Sequence, residues 1–449
     1  MTVVTEKSAR KPGDAAAWWM VAVLFLIYVL AGLDRLVISM LVEPIKADMA
    51  LSDFQMSIIL GPAFAISYAI FGLPLGWAAD RFSRRTVIFF GVLTWAFATV
   101  ACGFARTFET LLLARIVVGI GEAALLPSAY SLISDGFPRE KLTLATSTFQ
   151  MAGKVGSATA FGLGGIAIAF AVGLKGVDLP IHGPAEPWQI VMMLVGLPGF
   201  LFAFMLFSFR EPLRRDLGRA DPQARSVAAT TDFVRANWQL VGLMLTAFSA
   251  LAICGYSMTA WVPTFIGREY GWEPVVYGPA LSLMNLLAAA SLVVNGKIVD
   301  TLFSRGMKDV HLRFYSWLIL ALTPAILYMF FAPNPWVFLV LYGIVQFITV
   351  PFMVYLSSVV ALLAPNAVRG QIIAFFMFVF TMLGMGAGPA VVGGLTDFVF
   401  ASEDRLGDSL AIVVIAGAGI AFAALRLSLR YLGPAIIRRE ALAADSVRG

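Results

Sequence analysis

The sequence predicts an all-α membrane protein of twelve transmembrane helices arranged as two six-helix bundles. Three observations carry this expectation. First, 60% of the 449 residues are hydrophobic and only 13% are charged, against about 25% charged in a soluble globular domain. Mean hydropathy is +0.86, so the chain cannot cover itself with polar surface in water. Second, apolar stretches of about 20 residues recur, each long enough to cross a hydrocarbon core of about 30 Å as a helix. Third, a polar stretch divides them six and six. An outer-membrane barrel is excluded, because its strands would alternate in segments of about 10 residues.

The apolar stretches place spans at 18–42, 53–79, 86–105, 109–134, 141–172 and 189–209, then at 238–266, 275–300, 314–332, 335–363, 367–399 and 409–431. The first is too long for a signal peptide, carries Asp34 and Arg35, and is followed by no small-residue cleavage pattern. Residues 1–17 read as a tail, 18–209 as the first bundle, 210–237 as a polar linker, 238–431 as the second bundle and 432–449 as a second tail. The linker holds Arg210, Arg214, Arg215, Arg219, Arg225 and Arg235 among acids and has no apolar run. The connection 173–188 carries Pro180, Pro184 and Pro187 and reads as an irregular loop.

Basic residues set the orientation. Twenty-three of the 32 Lys and Arg fall on the side of the N-terminus, five (Lys46, Arg106, Lys175, Arg268, Arg405) on the other, and four within spans. By the positive-inside rule both termini are expected in the cytoplasm, with the protein multi-pass in the cell (inner) membrane. The net charge of +5 therefore reflects topology and contact with membrane lipids, and gives no ground for a nucleic-acid partner. Cys102 and Cys254 lie in apolar stretches, and the two histidines, His182 and His311, lie in connections. No metal, cofactor or nucleophile–base arrangement can be read, so no enzyme is expected.

The halves repeat each other. Gly76-Trp-Ala-Ala-Asp80-Arg81 closes span two, and Gly296-Lys-Ile-Val-Asp300 closes span eight, 220 positions later. Duplicated bundles that rock about a shared site near the midplane are a transporter architecture, and a single chain with two halves is expected to act as a monomer. The first copy continues to Arg84 and Arg85. Asp80, Arg81, Arg84, Arg85 and Asp300 are expected to gate the cytoplasmic side, a carboxylate at one helix end bridging to a neighbour.

Charges at membrane depth cost about 2.5–3.5 kcal/mol on insertion scales and point to a pathway or a switch. Five lie well inside the first half: Asp34 and Arg35 in span one, Arg115 and Glu122 in span four, Lys154 in span five. Lys297 is near a helix end, where its stem can snorkel. At 1.5 Å per residue, Asp34 lies about 24 Å from the inner surface and Arg115 about 9 Å from the outer one, so the two share a depth. Asp34 and Glu122 are read as acids partnered by Arg35 and Arg115. An arginine that swings away and returns would let an acid take up and release a proton, coupling a proton gradient to a conformational cycle. Gly119 and Gly121 leave room for a helix or ligand against the backbone, and the glycines of spans five and eleven suit helices that slide.

These residues resemble the major facilitator superfamily over essentially the whole chain, on the two-half plan and on Gly76-x-x-x-Asp80-Arg81-x-x-Arg84-Arg85. Residues 25–165 are most similar to its Spinster branch, through Leu33-Asp34-Arg35, Arg115-Ile-Val-Val-Gly119-Ile-Gly121-Glu122-Ala123 and Ser131-Leu-Ile-Ser-Asp135-Gly-Phe137-Pro138. The resemblance implies the superfamily fold and transport of a lysophospholipid or sphingoid-type lipid, with the proton as coupling ion. It also implies a proton-sensing role for Asp34 and Arg35, and a substrate cavity lined by Arg115 and Glu122, to which Lys154 adds a charge in a helix usually uncharged in the branch. The rival is a proton-linked organic-anion symporter of the same superfamily. There Arg35, Arg115 and Lys154 would hold a carboxylate or phosphate.

Overall fold

The computed structural model describes residues 14–179, 183–214 and 227–448. It contains twelve helices long and apolar enough to cross a membrane. In chain order these are α1 (Ala15–Met40), α2 (Asp53–Arg81), α3 (Arg84–Cys102), α4 (Phe108–Gly136), α5 (Leu144–Val172), α6 (Pro187–Ser208), α7 (Trp238–Tyr270), α8 (Pro274–Ser304), α9 (Val310–Phe331), α10 (Pro335–Leu363), α11 (Val368–Phe400) and α12 (Glu403–Arg439). An even number of crossings leaves both ends of the chain on one face, called here the termini face.

Local chemistry fixes where helices start and break. Ser52 and Gln55 form a capping box at the start of α2, and Thr107 and Thr110 one at the start of α4. Four spans are interrupted at depth. Gly61-Pro62 bends α2, Ala123-Ala124 divides α4 just after Glu122, and Val350-Pro351 divides α10. In α11, Thr381–Ala387 and Leu395–Phe400 are wound as π-helix. Such irregular backbone is tolerated inside a membrane where it is buried in protein or lines a cavity.

Glycines set the contacts within each half. A Cβ on Gly156 of α5 would meet Val29 O of α1 at 2.9 Å and Gly32 Cα at 3.2 Å. Gly121 of α4 lies against Gly91 O and Trp95 N of α3, and Gly119 against Phe64 and Ser67 of α2. The room expected at Gly119 and Gly121 is therefore taken by two helices of the same bundle, not by a ligand. In the second half Gly417 of α12 closes on Cys254 of α7, and both Cys102 and Cys254 are buried and free.

The halves meet along two seams that the sequence repeat relates to each other, α5 with α8 and α11 with α2. Gly165 abuts Pro274 O, Gly278 abuts Phe161 O, Gly61 lies 3.0 Å from Gly386 O, and Gly393 lies 2.7 Å from Asp53 O, all as distances to a Cβ built on the glycine. All four contacts sit toward the face away from the termini. At the repeat motif on the termini face, by contrast, a Cβ on Gly296 would meet nothing within 4 Å and one on Gly76 only Pro127 of its own half.

Within the polar linker 210–237, Val227–Ala236 is a helix whose Phe233 and Val234 pack on the second half's core. Two sequence expectations change. The last helix runs unbroken from Leu406 to Arg448 rather than ending near 431, since the segment after Pro434 is rich in helix-favouring Ala, Arg and Glu. Arg438 and Arg439 there donate to Ala236 O and Leu363 O. His311 lies in the first turn of α9, 8% exposed against Phe303, rather than in a connection. Within 173–188 the short strands Asp178–Leu179 and Gly183–Pro184 pair. His182, Pro180, Arg215, Arg219, Arg225 and residues 1–13 lie outside the described residues.

The α1–α5 crossing carries a stability prediction. Gly156→Val should cost about 1–3 kcal/mol through overpacking against backbone that cannot yield. Thermal unfolding in detergent should therefore shift down by several degrees, while Gly72→Ala, with nothing within 4 Å of the added atom, should leave it unchanged or raise it.

Candidate functional site: a central cavity, a buried charge cluster and a latch

The first half gathers four of its five deep charges into one cluster. Helix α1 presents Asp34 and Arg35 on adjacent positions, about 100° apart around the axis, so the two look at different neighbours. Arg35 forms an ion pair with Glu122 of α4, and its guanidinium stands 4.6 Å from the Phe64 ring centroid and 5.8 Å from that of Tyr68. Asp34 is fully buried. Its Oδ2 accepts from the Thr99 hydroxyl of α3 at 3.2 Å, and Arg115 of α4 donates to its main-chain carbonyl at 3.4 Å. Asp34 Oδ1, Glu122 Oε1 and Arg115 Nε and Nη2 are buried without a partner among the described residues. Leaving such groups unsatisfied costs about 1–3 kcal/mol each, which marks a site that expects a proton, a water or a rearrangement.

Above this cluster, between the halves, lies a cavity of about 350 Å³. The first half contributes Tyr28, Arg35, Gln150 and Lys154 to its wall. Lys154 is half-buried there and has no carboxylate partner among the described residues. The sequence puts Arg115 and Glu122 at the cavity as well; in the structure they lie one layer deeper, behind Arg35, with Arg115 fully buried and Glu122 2% exposed. The reason is the close approach at Gly119 and Gly121, which presses that part of α4 against α2 and α3.

The second half, apolar by charge count, supplies polar atoms that sequence reasoning passed over. Tyr256, Thr259, Asn285, Gln346 and Thr349 all line the cavity. Gln346 donates to Tyr342 Oη at 2.9 Å and accepts from Thr349 at 2.7 Å, so its amide is held in a fixed orientation. Leu36, Val350, Phe352 and Met353 make the remaining wall apolar.

On the face away from the termini, charges from both halves lock the seam. Asp53 at the head of α2 is fully buried. It accepts a bidentate pair from Arg268 of α7 at 2.7 and 2.8 Å and an ion pair from Lys46. Arg268 also binds Glu43 at 2.8 Å, and Lys46 reaches Glu403 at 2.9 Å. Alongside, the Phe54 amide donates to Asp397 of α11 at 2.7 Å. A bidentate arginine–carboxylate pair out of water is the strong form of such contacts. Lys46 and Arg268 entered the sequence analysis only as outward cations, and no sequence signal singled out Glu43, Asp53, Asp397 or Glu403.

The repeat motif makes its bonds elsewhere. Arg84 is fully buried, pairs with Asp135 of α4 and with Glu211 at 3.0 Å, and donates to Pro212 O at 2.7 Å. Arg85 donates to Phe209 O at 2.6 Å, and Arg81 stacks over Trp77 at 4.8 Å. Partial burial raises the Glu211 pKa, but hydrogen bonds from Ser83 and Arg84 outweigh this and hold it below the usual carboxylate range. Asp80 offers its main-chain carbonyl to Arg214, and neither the Asp80 nor the Asp300 side chain has an ion pair among the described residues. The motif thus ties the first half to the start of the linker, and among the described residues it makes no bridge between the halves.

A family model described as Major Facilitator Superfamily matches residues 24–389. The chain is 27% identical over 426 residues, 91% of each chain, to an MFS-type efflux pump of Mycolicibacterium smegmatis. It is 26% identical over 302 residues to a probable L-galactonate transporter of Escherichia coli, covering 65% of this chain and 63% of that one. Among solved structures it is similar to a bacterial homologue of the human lysosomal transporter Spinster, inward-facing and unoccupied. That match has a TM-score of 0.75 and 23% identity, over 97% of this chain and 99% of the other.

The α5–α8 seam can be tested by a cross-link. A Cβ on Gly162 would lie 3.5 Å from Ser282 Cβ, within disulfide range of about 3.5–4.5 Å. The Gly162→Cys, Ser282→Cys double variant should oxidise readily and lose transport until reduced. Adding Arg268→Ala leaves Asp53 buried with one cation fewer, a loss worth about 3–5 kcal/mol for a buried pair. The oxidation rate, followed by gel mobility after proteolysis in the linker, should then fall several-fold.

Proposed function

The chain belongs to the major facilitator superfamily, and on that premise we propose that it is a proton-coupled transporter of an organic anion, working by alternating access. The observation that carries this reading is Lys154, a cation without a partner among the described residues, facing a cavity whose same wall holds Arg35. A carboxylate or phosphate is the ligand class that offers both a countercharge. The polar row of Asn285, Gln346 and Thr349 opposite suits hydroxyl groups on such a substrate. The name of the E. coli relative, a galactonate transporter, supports a sugar acid.

Coupling follows from the shared arginine. Arg35 is held by Glu122 on one side and borders the cavity on the other. An arriving anion competes with Glu122 for it. A Glu122 that loses its cation takes up a proton, and a protonated Glu122 releases Arg35 to the anion. Proton and anion then bind together, by reciprocal linkage. Asp34, with one oxygen on Thr99 and one free, is the second acid and the candidate coupling residue. The latch at Asp53 and Arg268 holds the outward side shut in this conformation. The excess of Lys and Arg on the termini face supports cytoplasmic termini, hence a cavity serving the cytoplasm. The chain supplies both halves of the cavity and acts as a monomer.

A second reading has one observation in its favour. The apolar cavity wall of Leu36, Val350, Phe352 and Met353, together with the Spinster-like fold, suits an amphipathic lipid such as a lysophospholipid whose acidic headgroup meets Lys154. Competition of unlabelled galactonate and of a lysophospholipid against each other's uptake separates the two.

Three outcomes are expected. In proteoliposomes under an imposed pH gradient, Asp34→Asn should bind substrate yet fail to concentrate it; accumulation equal to wild type would remove Asp34 from the coupling. Wild-type anion binding should tighten as pH falls, whereas Glu122→Gln should bind about tenfold more tightly at neutral pH with a flat pH profile, checked by equilibrium binding. Lys154→Gln should weaken anion binding by about tenfold or more, as expected for a lost charge-assisted contact.

A further inference from the structure

A larger opening lies beside the latch, on the face away from the termini. It is a crevice of about 900 Å³ between the halves. One wall is the short helix Val42–Met49 with Trp188 at the start of α6; the other is the end of α7 and the start of α8. Three features of its lining converge on one ligand chemistry.

The first is charge. Asp48 and Glu273 both line the crevice, and neither has a cationic partner among the described residues. The cations at the rim are already engaged: Arg268 by Asp53 and Glu43, and Lys175 by Glu186 at 3.7 Å. The crevice is therefore net acidic, opposite in sign to the central cavity. The second is aromatic surface. Trp272 supplies the accessible ring, while Trp188 and Tyr277, 1% and 3% exposed, are buried parts of the lining. The Trp188 indole donates to Asp48 at 3.0 Å, and Trp272 packs edge-on against Trp336 at 5.0 Å, so both rings are held in place. Indole faces next to carboxylates attract cations. The third is an orphan polar group. Thr264 lines the crevice and is only 4% exposed, and its hydroxyl has no hydrogen-bond partner among the described residues. A buried hydroxyl left so is waiting for a donor or acceptor.

We propose that this crevice binds a hydrophobic organic cation of the arylalkylamine class. The ring packs on Trp272, the ammonium is held by Asp48 and Glu273, and the Thr264 hydroxyl accepts one of its N–H groups. Because the two walls belong to opposite halves, the occupant stays only while this face is shut. By binding that state alone it stabilises it and slows its conversion to any other.

The test is equilibrium binding of 4-phenylbutylamine to the purified full-length protein in detergent, with 4-phenylbutyrate as a competitor of the same body and opposite charge. Saturable binding of the amine is expected, without displacement by the acid. Binding should weaken by about tenfold or more in the Asp48→Asn, Glu273→Gln double variant. Gly267→Leu is the independent check, since its added Cβ meets only Trp272 O at 3.8 Å. Gly267 lines the crevice, so the larger side chain should occupy part of it and the amine should be lost there too. Thr264→Val should weaken the primary amine but not its N-trimethyl analogue. The proposal is overturned if the amine shows no saturable binding, if the acid displaces it, or if both the double variant and Gly267→Leu bind as wild type does.

Discussion

An ionised group inside a membrane must find a partner or give up its charge, and the pairing of Arg35 with Glu122 is where this chain meets that demand. Everything central to the site is arranged around it. Phe64 and Tyr68 cover the guanidinium, Asp34 and Arg115 fill the layer behind, and the cavity opens on its free side. The same arginine pairs with Glu122 and lines the cavity, so it joins the buried cluster to the space between the halves.

The contacts between the halves are of two kinds. At Gly61, Gly165, Gly278 and Gly393 the halves touch through backbone, within an apolar cluster that takes in side chains of both halves. The strong inter-half bonds are instead polar and concentrated at one end, in Asp53, Arg268, Lys46 and Glu403. Glu43 and Glu403 stand exposed at the edge of this group, whereas Asp53 and Lys46 are buried, so parting the halves here means rehydrating a buried ion pair. The π-wound turns of α11 and the broken turns of α4 and α10 place irregular backbone close to that movement.

Much of the cluster was legible in the chain because cost is legible. A carboxylate or guanidinium in an apolar run is rare enough to notice, so Asp34, Arg35, Arg115, Glu122 and Lys154 stood out one by one. Who pairs with whom did not. Asp34 and Arg35 are sequence neighbours pointing to different helices, and the packing at Gly119 and Gly121 decides that Arg35, not Arg115, takes Glu122. The latch escaped notice for the opposite reason. Lys46, Asp53, Arg268 and Glu403 lie at helix ends, where charge is ordinary. Asn285, Gln346 and Thr349 escaped because an uncharged polar residue in a helix often just bonds its own backbone, as Thr246 does to Gly242 O.

By itself the sequence determined the twelve apolar spans, their division into two halves, the repeat that relates them and the short set of charges too costly to be incidental. Each of these is a property of composition along a line, and the bilayer enforces it span by span. Only the tertiary structure decided which charges share a pair, which face is latched, what the second half offers the cavity and where a further crevice lies. Those depend on distances between segments hundreds of residues apart, set by how closely helices pack, and no local pattern encodes them.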